Sequence, residues 1–215
     1  LFTNASHGNF PILSANFPLA TYPLAALCLH TEFSPLPGLT FRESLYNGVA
    51  SDRINRQFRF CPRSDGMFNI GSLSYHIGEE DHHHGYYAVG YALGSSPSET
   101  SSDKTFNYAL WTLIEQPFLH VGESPLGALL QGGTSPASRS TCRYYWGAGL
   151  VWSNITQKMI QVGLVVNRAI YADGRETDVE LTGSFPLCRH FTLQPAVHCI
   201  NTNGRYTAAT QLRAV

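Results

Sequence analysis

The sequence is poor in charge, and that lack excludes several classes at the outset. Charged residues make up 13% of the 215-residue chain, against roughly 25% in ordinary soluble domains. Lys+Arg is 14 and Asp+Glu is 15, so there is no basic excess of the kind that binds nucleic acid in bulk. High net charge with low hydrophobicity would mark disorder; the net charge is −1 and the hydrophobic fraction 43%, so neither condition holds. A long apolar helix is also missing. The longest stretch free of Lys, Arg, Asp and Glu is Leu1–Thr31, and Pro11, Pro18 and Pro23 interrupt it, which rules out a helix of about 20 apolar residues. The opening LFTNASHGNF has neither the basic start nor the apolar centre of a secretion signal. The five cysteines, Cys28, Cys61, Cys142, Cys188 and Cys199, form no CxxC pair, and their scatter gives no metal site and no disulfide framework.

What is present is period-2 alternation. In GYYAVGYALG, Tyr87, Val89, Tyr91 and Leu93 alternate with Tyr86, Ala88, Gly90 and Ala92. In YYWGAGLVW, Tyr144, Trp146, Ala148, Leu150 and Trp152 share one side. In TDVELTGSFPL, Val179, Leu181, Phe185 and Leu187 oppose Asp178, Glu180, Thr182 and Ser184. In HFTLQPAVHC, Phe191, Leu193, Val197 and Cys199 oppose His190, Thr192, Gln194 and His198. This is the signature of strands with one apolar face and one polar or small face. Strands are expected over 21–32, 38–47, 66–77, 85–94, 106–116, 125–133, 143–153, 159–171, 176–186, 190–200 and 206–215. SPLGALLQ in the sixth segment also fits a short helix. The separators SPLPG, SSPSETSSD, GGTSPAS, ADGR and NTNG are rich in turn formers.

A strand of about 10 residues rises roughly 33 Å, and tilted by about 45° it spans roughly 23 Å, near the height of an outer-membrane barrel's apolar band. A soluble sandwich shows similar alternation, so the faces must decide. Aromatics near the ends of the apolar faces (Tyr87, Tyr144, Trp146, Trp152, Phe185, Phe191) suit interfacial girdles, and the opposite faces are wettable. The two longest expected connections, 48–65 and 95–105, fall at one end of the strands, as the outer loops of such a barrel do.

Taken in order, the segments FPILSANFPLATYPLAALCLH, GMFNIGSLSY, GYYAVGYALG, NYALWTLIEQ, YYWGAGLVWSNI and ETDVELTGSFPLCRHFTLQPAVHCI resemble the C-terminal part of the carbohydrate-selective porins of the OprB type. The resemblance implies an all-β, antiparallel transmembrane β-barrel, incomplete at about 11 strands of a 16-stranded porin. On that reading, residues 1–215 are the C-terminal part of a single barrel domain, and Leu1 lies mid-barrel with a leader and the first strands upstream. It further implies passage of sugars across a bacterial outer membrane, a homotrimer, no catalysis and no cofactor. The chain departs from the pattern in its five cysteines, in Ala196 after Gln194-Pro195, and in its Arg213-Ala214-Val215 end.

A sugar channel selects by hydrogen bonds weak enough to release the solute. The pore-lining candidates are Arg42, Glu115, Gln116, Asp178, Glu180, Gln194 and His198, with Ser44, Asn107, Gln131, Gln161, Asn167 and His190 as further wall positions. Glu180 and Gln194 stand out because they match family positions on adjacent strands. GEEDHHHG (Glu79–His84) offers metal-ligand types, but three consecutive histidines do not readily face one ion, and a hydrated turn is expected. Arg53, Arg56, Arg59 and Arg63 make 48–65 locally basic. Two other readings stay open. One is a soluble β-sandwich that binds or hydrolyses carbohydrate, with the aromatic faces packed inside. The other is a barrel hydrolase, for which no G-x-S-x-G is present.

Overall fold

The structure, a computed structural model, describes residues 1–3, 10–17, 24–49, 51–78, 85–97, 104–122, 124–155, 159–189 and 191–214. Eleven strands make up one sheet: β1 (Cys28–Leu36), β2 (Leu39–Asn47), β3 (Met67–Ile77), β4 (Gly85–Pro97), β5 (Lys104–Val121), β6 (Ser124–Thr134), β7 (Cys142–Trp152), β8 (Gln161–Tyr171), β9 (Arg175–Cys188), β10 (Phe191–Thr202) and β11 (Arg205–Ala214). They pair strictly in chain order, and every pairing is antiparallel. Among the described residues β1 and β11 each pair on one side only.

The alternation of the sequence becomes the two faces of this sheet. Register carries the apolar set across the strands: Leu73 lies opposite Val89, Leu150 opposite Leu164, Leu164 opposite Leu181 and Leu181 opposite Val197. These side chains are bare, with Val89 55% exposed, Leu181 53% and Leu164 49%. The other face holds the buried polar groups, among them Ser44, Asn107, Gln131, Asn167, Asp178, Glu180, Thr182, Gln194 and His198. The molecule therefore inverts the usual pattern of a soluble protein, in which buried polar groups are the exception.

What covers the polar face is the start of the chain. A single helical turn, α1 (Pro11–Ser14), begins at a proline suited to its first position. Phe10, Ile12, Leu13 and Phe17 around it are buried against Phe68, Ala92, Ala109, Cys142, Tyr145 and Ala169. Phe10 lies 5.2 Å from Trp111 and 6.0 Å from Tyr145, and Phe17 lies 5.2 Å from Phe68 (ring centroids). A glycine beneath makes room: a Cβ on Gly133 would sit 2.1 Å from Ile12 Cδ1 and 2.9 Å from the Leu110 carbonyl oxygen. Asn16 pins the turn to β7, donating to the Cys142 carbonyl at 2.7 Å and accepting its N–H at 2.9 Å.

The expected strands all exist, with shifted bounds. The first begins at Cys28 rather than near 21, and runs through the stretch expected as a connection. Its turn is Pro37-Gly38, with Gly38 at φ +77, the proline-then-glycine order of a type II turn. SPLGALLQ is strand, not helix. The connection expected at 117–124 is mostly strand as well: β5 continues past a bulge between Pro117 and Leu119 to Val121. A proline has no N–H for the ladder, and a bulge is where a strand tolerates it. The link between β2 and β3 carries two more helical turns, α2 (Ile54–Gln57) and α3 (Pro62–Asp65). The Glu79–His84 turn lies outside the described residues.

Candidate functional site

The polar face divides in two. Toward β3–β7 it is aromatic and filled by residues 10–17. Toward β8–β10 it is hydrogen-bonding, and here the chain start touches it through Leu1 and Thr3. Asp178 and Glu180 lie two apart on β9, so both project to this face, and His198 sits directly opposite Glu180 on β10. Asp178, Glu180 and His198 are 5%, 0% and 9% exposed.

Their hydrogen bonds form a chain. His198 Nδ1 lies 3.0 Å from Asp178 Oδ2. On the other side of the ring, Nε2 lies 3.0 Å from Thr3 Oγ1. Thr3 donates both its backbone N–H, at 2.7 Å, and its hydroxyl, at 2.9 Å, to Glu180 Oε1. The Thr3 hydroxyl has one proton and gives it to Glu180, so its oxygen accepts from the imidazole. Gln194 closes the group by donating Nε2 to the Leu1 carbonyl. Gly163 makes room for the terminus: a Cβ there would meet Leu1 and Phe2 side-chain carbons at 2.7 and 2.8 Å. Asp178, Glu180 and His198 each offer a ligand atom, and these atoms lie within 4.8 Å of one another.

Of the pore-lining candidates, the structure thus brings together Asp178, Glu180, Gln194 and His198. Arg42 shares their face at the far end of the sheet, where its Nε pairs with Glu32 at 2.8 Å and Nη1 reaches Ser74 at 3.3 Å. Glu115 also falls on the polar side, opposite Leu129, which lies two residues before Gln131 on the same face of β6. Gln116, its neighbour, necessarily points the other way and accepts from the Tyr87 hydroxyl on the apolar side. A second wall cluster joins Gln131 Nε2, the Tyr145 hydroxyl and Asn167 Oδ1, with Tyr145 donating to Asn167 at 3.0 Å. His190 lies outside the described residues.

Sequence reasoning missed Thr3. Nothing in a lone threonine near a chain start signals a partner 177 residues away. It also missed an acid on the apolar side: Glu43 accepts from Tyr91 at 3.0 Å and from Asn69. Pairing lets a carboxylate occupy a side otherwise built of Leu, Val and rings.

The polar connection between β2 and β3 is organised by the buried Asn47. Its Nδ2 donates to the Val49 carbonyl at 3.2 Å and to Asp65 Oδ2 at 3.0 Å, and its Oδ1 accepts the Cys61 N–H at 3.1 Å. The bond from Ser64 and then the bond from Asn47 hold the Asp65 carboxyl below its ordinary range, opposed by desolvation and helped by Arg59 and Arg56.

An all-antiparallel meander with its polar side sheltered and its apolar side bare is the arrangement of a porin-type wall. The fold is similar to that in the high-pH structure of Pseudomonas putida OprB, with a TM-score of 0.69 at 13% sequence identity. The alignment covers 90% of this chain and 58% of that chain, so the present chain spans a little over half of the porin's length. At this identity what is shared is the fold. No protein-family model matches the sequence, and no curated protein matches it. The fold resembles that of a porin, and no catalytic motif is evident among the described residues.

Proposed function

We propose that the chain is part of the wall of a bacterial outer-membrane porin, the C-terminal portion of one barrel domain, and that its polar face borders a water path for carbohydrates. One observation carries this reading: Val89, Leu150, Leu164, Leu181 and Val197 stand bare on one side while Gln131, Asn167, Glu180, Gln194 and His198 are sheltered on the other. Bare aliphatic side chains over a whole sheet need hydrocarbon or another apolar surface. Neutral hydroxyl-rich solutes need amide, carboxylate and imidazole partners of the kind lining β8–β10. The OprB likeness is one of fold; the sugar solute, the outer-membrane location and a homotrimer are part of this proposal.

The test is reconstitution in liposomes of the barrel completed with the upstream strands that close it, and measurement of swelling in isosmotic glucose and maltose. Sugar-dependent swelling above that of empty vesicles is expected. Glu180→Gln and Gln194→Ala should change the ratio of the two rates while leaving strand content intact. Equal ratios in both variants remove these residues as selectivity determinants, and no flux from inserted protein overturns the reading.

A second reading is carbohydrate binding by a water-soluble sheet without passage. The observation that favours it is the occupation of the polar face by residues 1–3 and 10–17, together with β1 and β11 each pairing on one side only. A detergent-free monomer that retains a sugar on an affinity column is the outcome it expects.

A further inference from the structure

We infer that Glu180 and His198 form a binding site for a borderline divalent cation of the zinc type, oriented by Asp178 and shared with the chain start. This goes beyond sugar passage and does not depend on it.

The geometry is that of a ligand pair with its support already built. His198 Nδ1 is engaged by Asp178 Oδ2 at 3.0 Å. That fixes the ring, as a carboxylate does behind a metal-ligating histidine, and turns Nε2 toward Thr3, where a metal ion would replace the Nε2 proton. Glu180 Oε1 converges on the same point from β9. The position between them is occupied by a single oxygen, Thr3 Oγ1, 2.9 Å from Glu180 Oε1 and 3.0 Å from His198 Nε2. One polar atom therefore already sits where an ion bridging these two donors would sit. The ligand atoms of Asp178, Glu180 and His198 lie within 4.8 Å of one another, and tetrahedral zinc needs its ligands ~3.3 Å apart, a closure within reach of side-chain rotation. The donor set is one imidazole and carboxylate oxygen, which suits zinc better than calcium or magnesium, whose sites are built of oxygen alone.

On binding, the ion takes Nε2 and Oε1 and Thr3 Oγ1 withdraws, so Glu180 loses its two bonds from Thr3. Metal and chain start therefore compete for one pair of atoms.

The experiment is equilibrium dialysis of the full chain in detergent against zinc alone. It is done on a background with His82, His83 and His84 changed to asparagine, so that the histidine turn does not contribute. One zinc per chain is expected. His198→Ala and Glu180→Gln should each weaken uptake more than tenfold. Asp178→Asn, which preserves shape, should weaken it about tenfold or more, the usual effect of losing an orienting carboxylate. Thr3→Ala should leave affinity equal or tighter. Strand content by circular dichroism qualifies each variant, and if the two ligand variants fail to fold, Asp178→Asn decides. No zinc on the folded background, or uptake unchanged by Asp178→Asn or by both ligand variants, overturns the assignment.

Discussion

A single asparagine holds the largest connection together. Asn47 ends β2 and binds three points of the following loop, at Val49, Cys61 and Asp65. Removing a buried side chain with that many bonds costs about 1–3 kcal/mol through the partners left behind. Asn47→Ala should make the 48–66 loop the first point of proteolytic cleavage while strand content stays constant, which limited trypsin digestion at Arg53, Arg56, Arg59 and Arg63 would show. Asp65 gives the loop a pH dependence of known sign. Its folded pKa is depressed, so its contribution is complete above the ordinary carboxylate value and fades as pH falls through the folded one. Exchange protection of 48–66, relative to intrinsic rates, should fall selectively as pH drops below the ordinary carboxylate value, and Asp65→Asn should abolish that pH dependence. Neither Asn47 nor Asp65 was singled out from sequence, because their bond joins positions 18 apart across a turn that has no period. Glu180, Gln194 and His198 were legible, since alternation alone fixes which side of a strand a residue occupies.

Among the elements, strands were readable and the covering segment was not. Eleven stretches of period 2 gave eleven strands. Their ends moved where a local device intervened: the bulge at Pro117/Leu119 lengthened β5, and the Pro37-Gly38 turn carried β1 to Leu36. The β10–β11 turn was signalled by Asn203-Gly204, whose φ values of 53 and 89 are those of a type I′ hairpin. Residues 10–17 gave no such signal. A four-residue helix has too few positions to show a period, and its burial comes from contacts far along the chain, Phe68, Trp111 and Tyr145 among them. Ile12 is the anchor, with no exposed surface. Ile12→Ala should cost about 2–5 kcal/mol in the docking of this segment, seen as loss of exchange protection over 10–17 with β3–β10 amides unchanged. Gly133→Val should do the same from the opposite side, because its side chain would occupy the place of Ile12 Cδ1.

For the molecule as a whole, the inverted distribution of polarity sets what surrounds it. Eleven antiparallel strands in chain order leave β1 and β11 running the same way. Closing such a sheet into an all-antiparallel barrel requires an odd number of further strands between them, and an unclosed edge in hydrocarbon leaves backbone groups unsatisfied at several kcal/mol each. The two sides can be told apart directly. In a background with the five cysteines replaced, single nitroxide labels are placed at Val89, Leu164 and Leu181 on the bare side and at Gln131, Asn167 and Gln194 on the sheltered side. Relaxation by oxygen, which concentrates in lipid, is compared with relaxation by a water-soluble nickel chelate after reconstitution. The account predicts oxygen-dominated relaxation at the first three positions and nickel-dominated relaxation at the second three. Equal response on both sides, or nickel-dominated relaxation at Val89, Leu164 and Leu181, would contradict it.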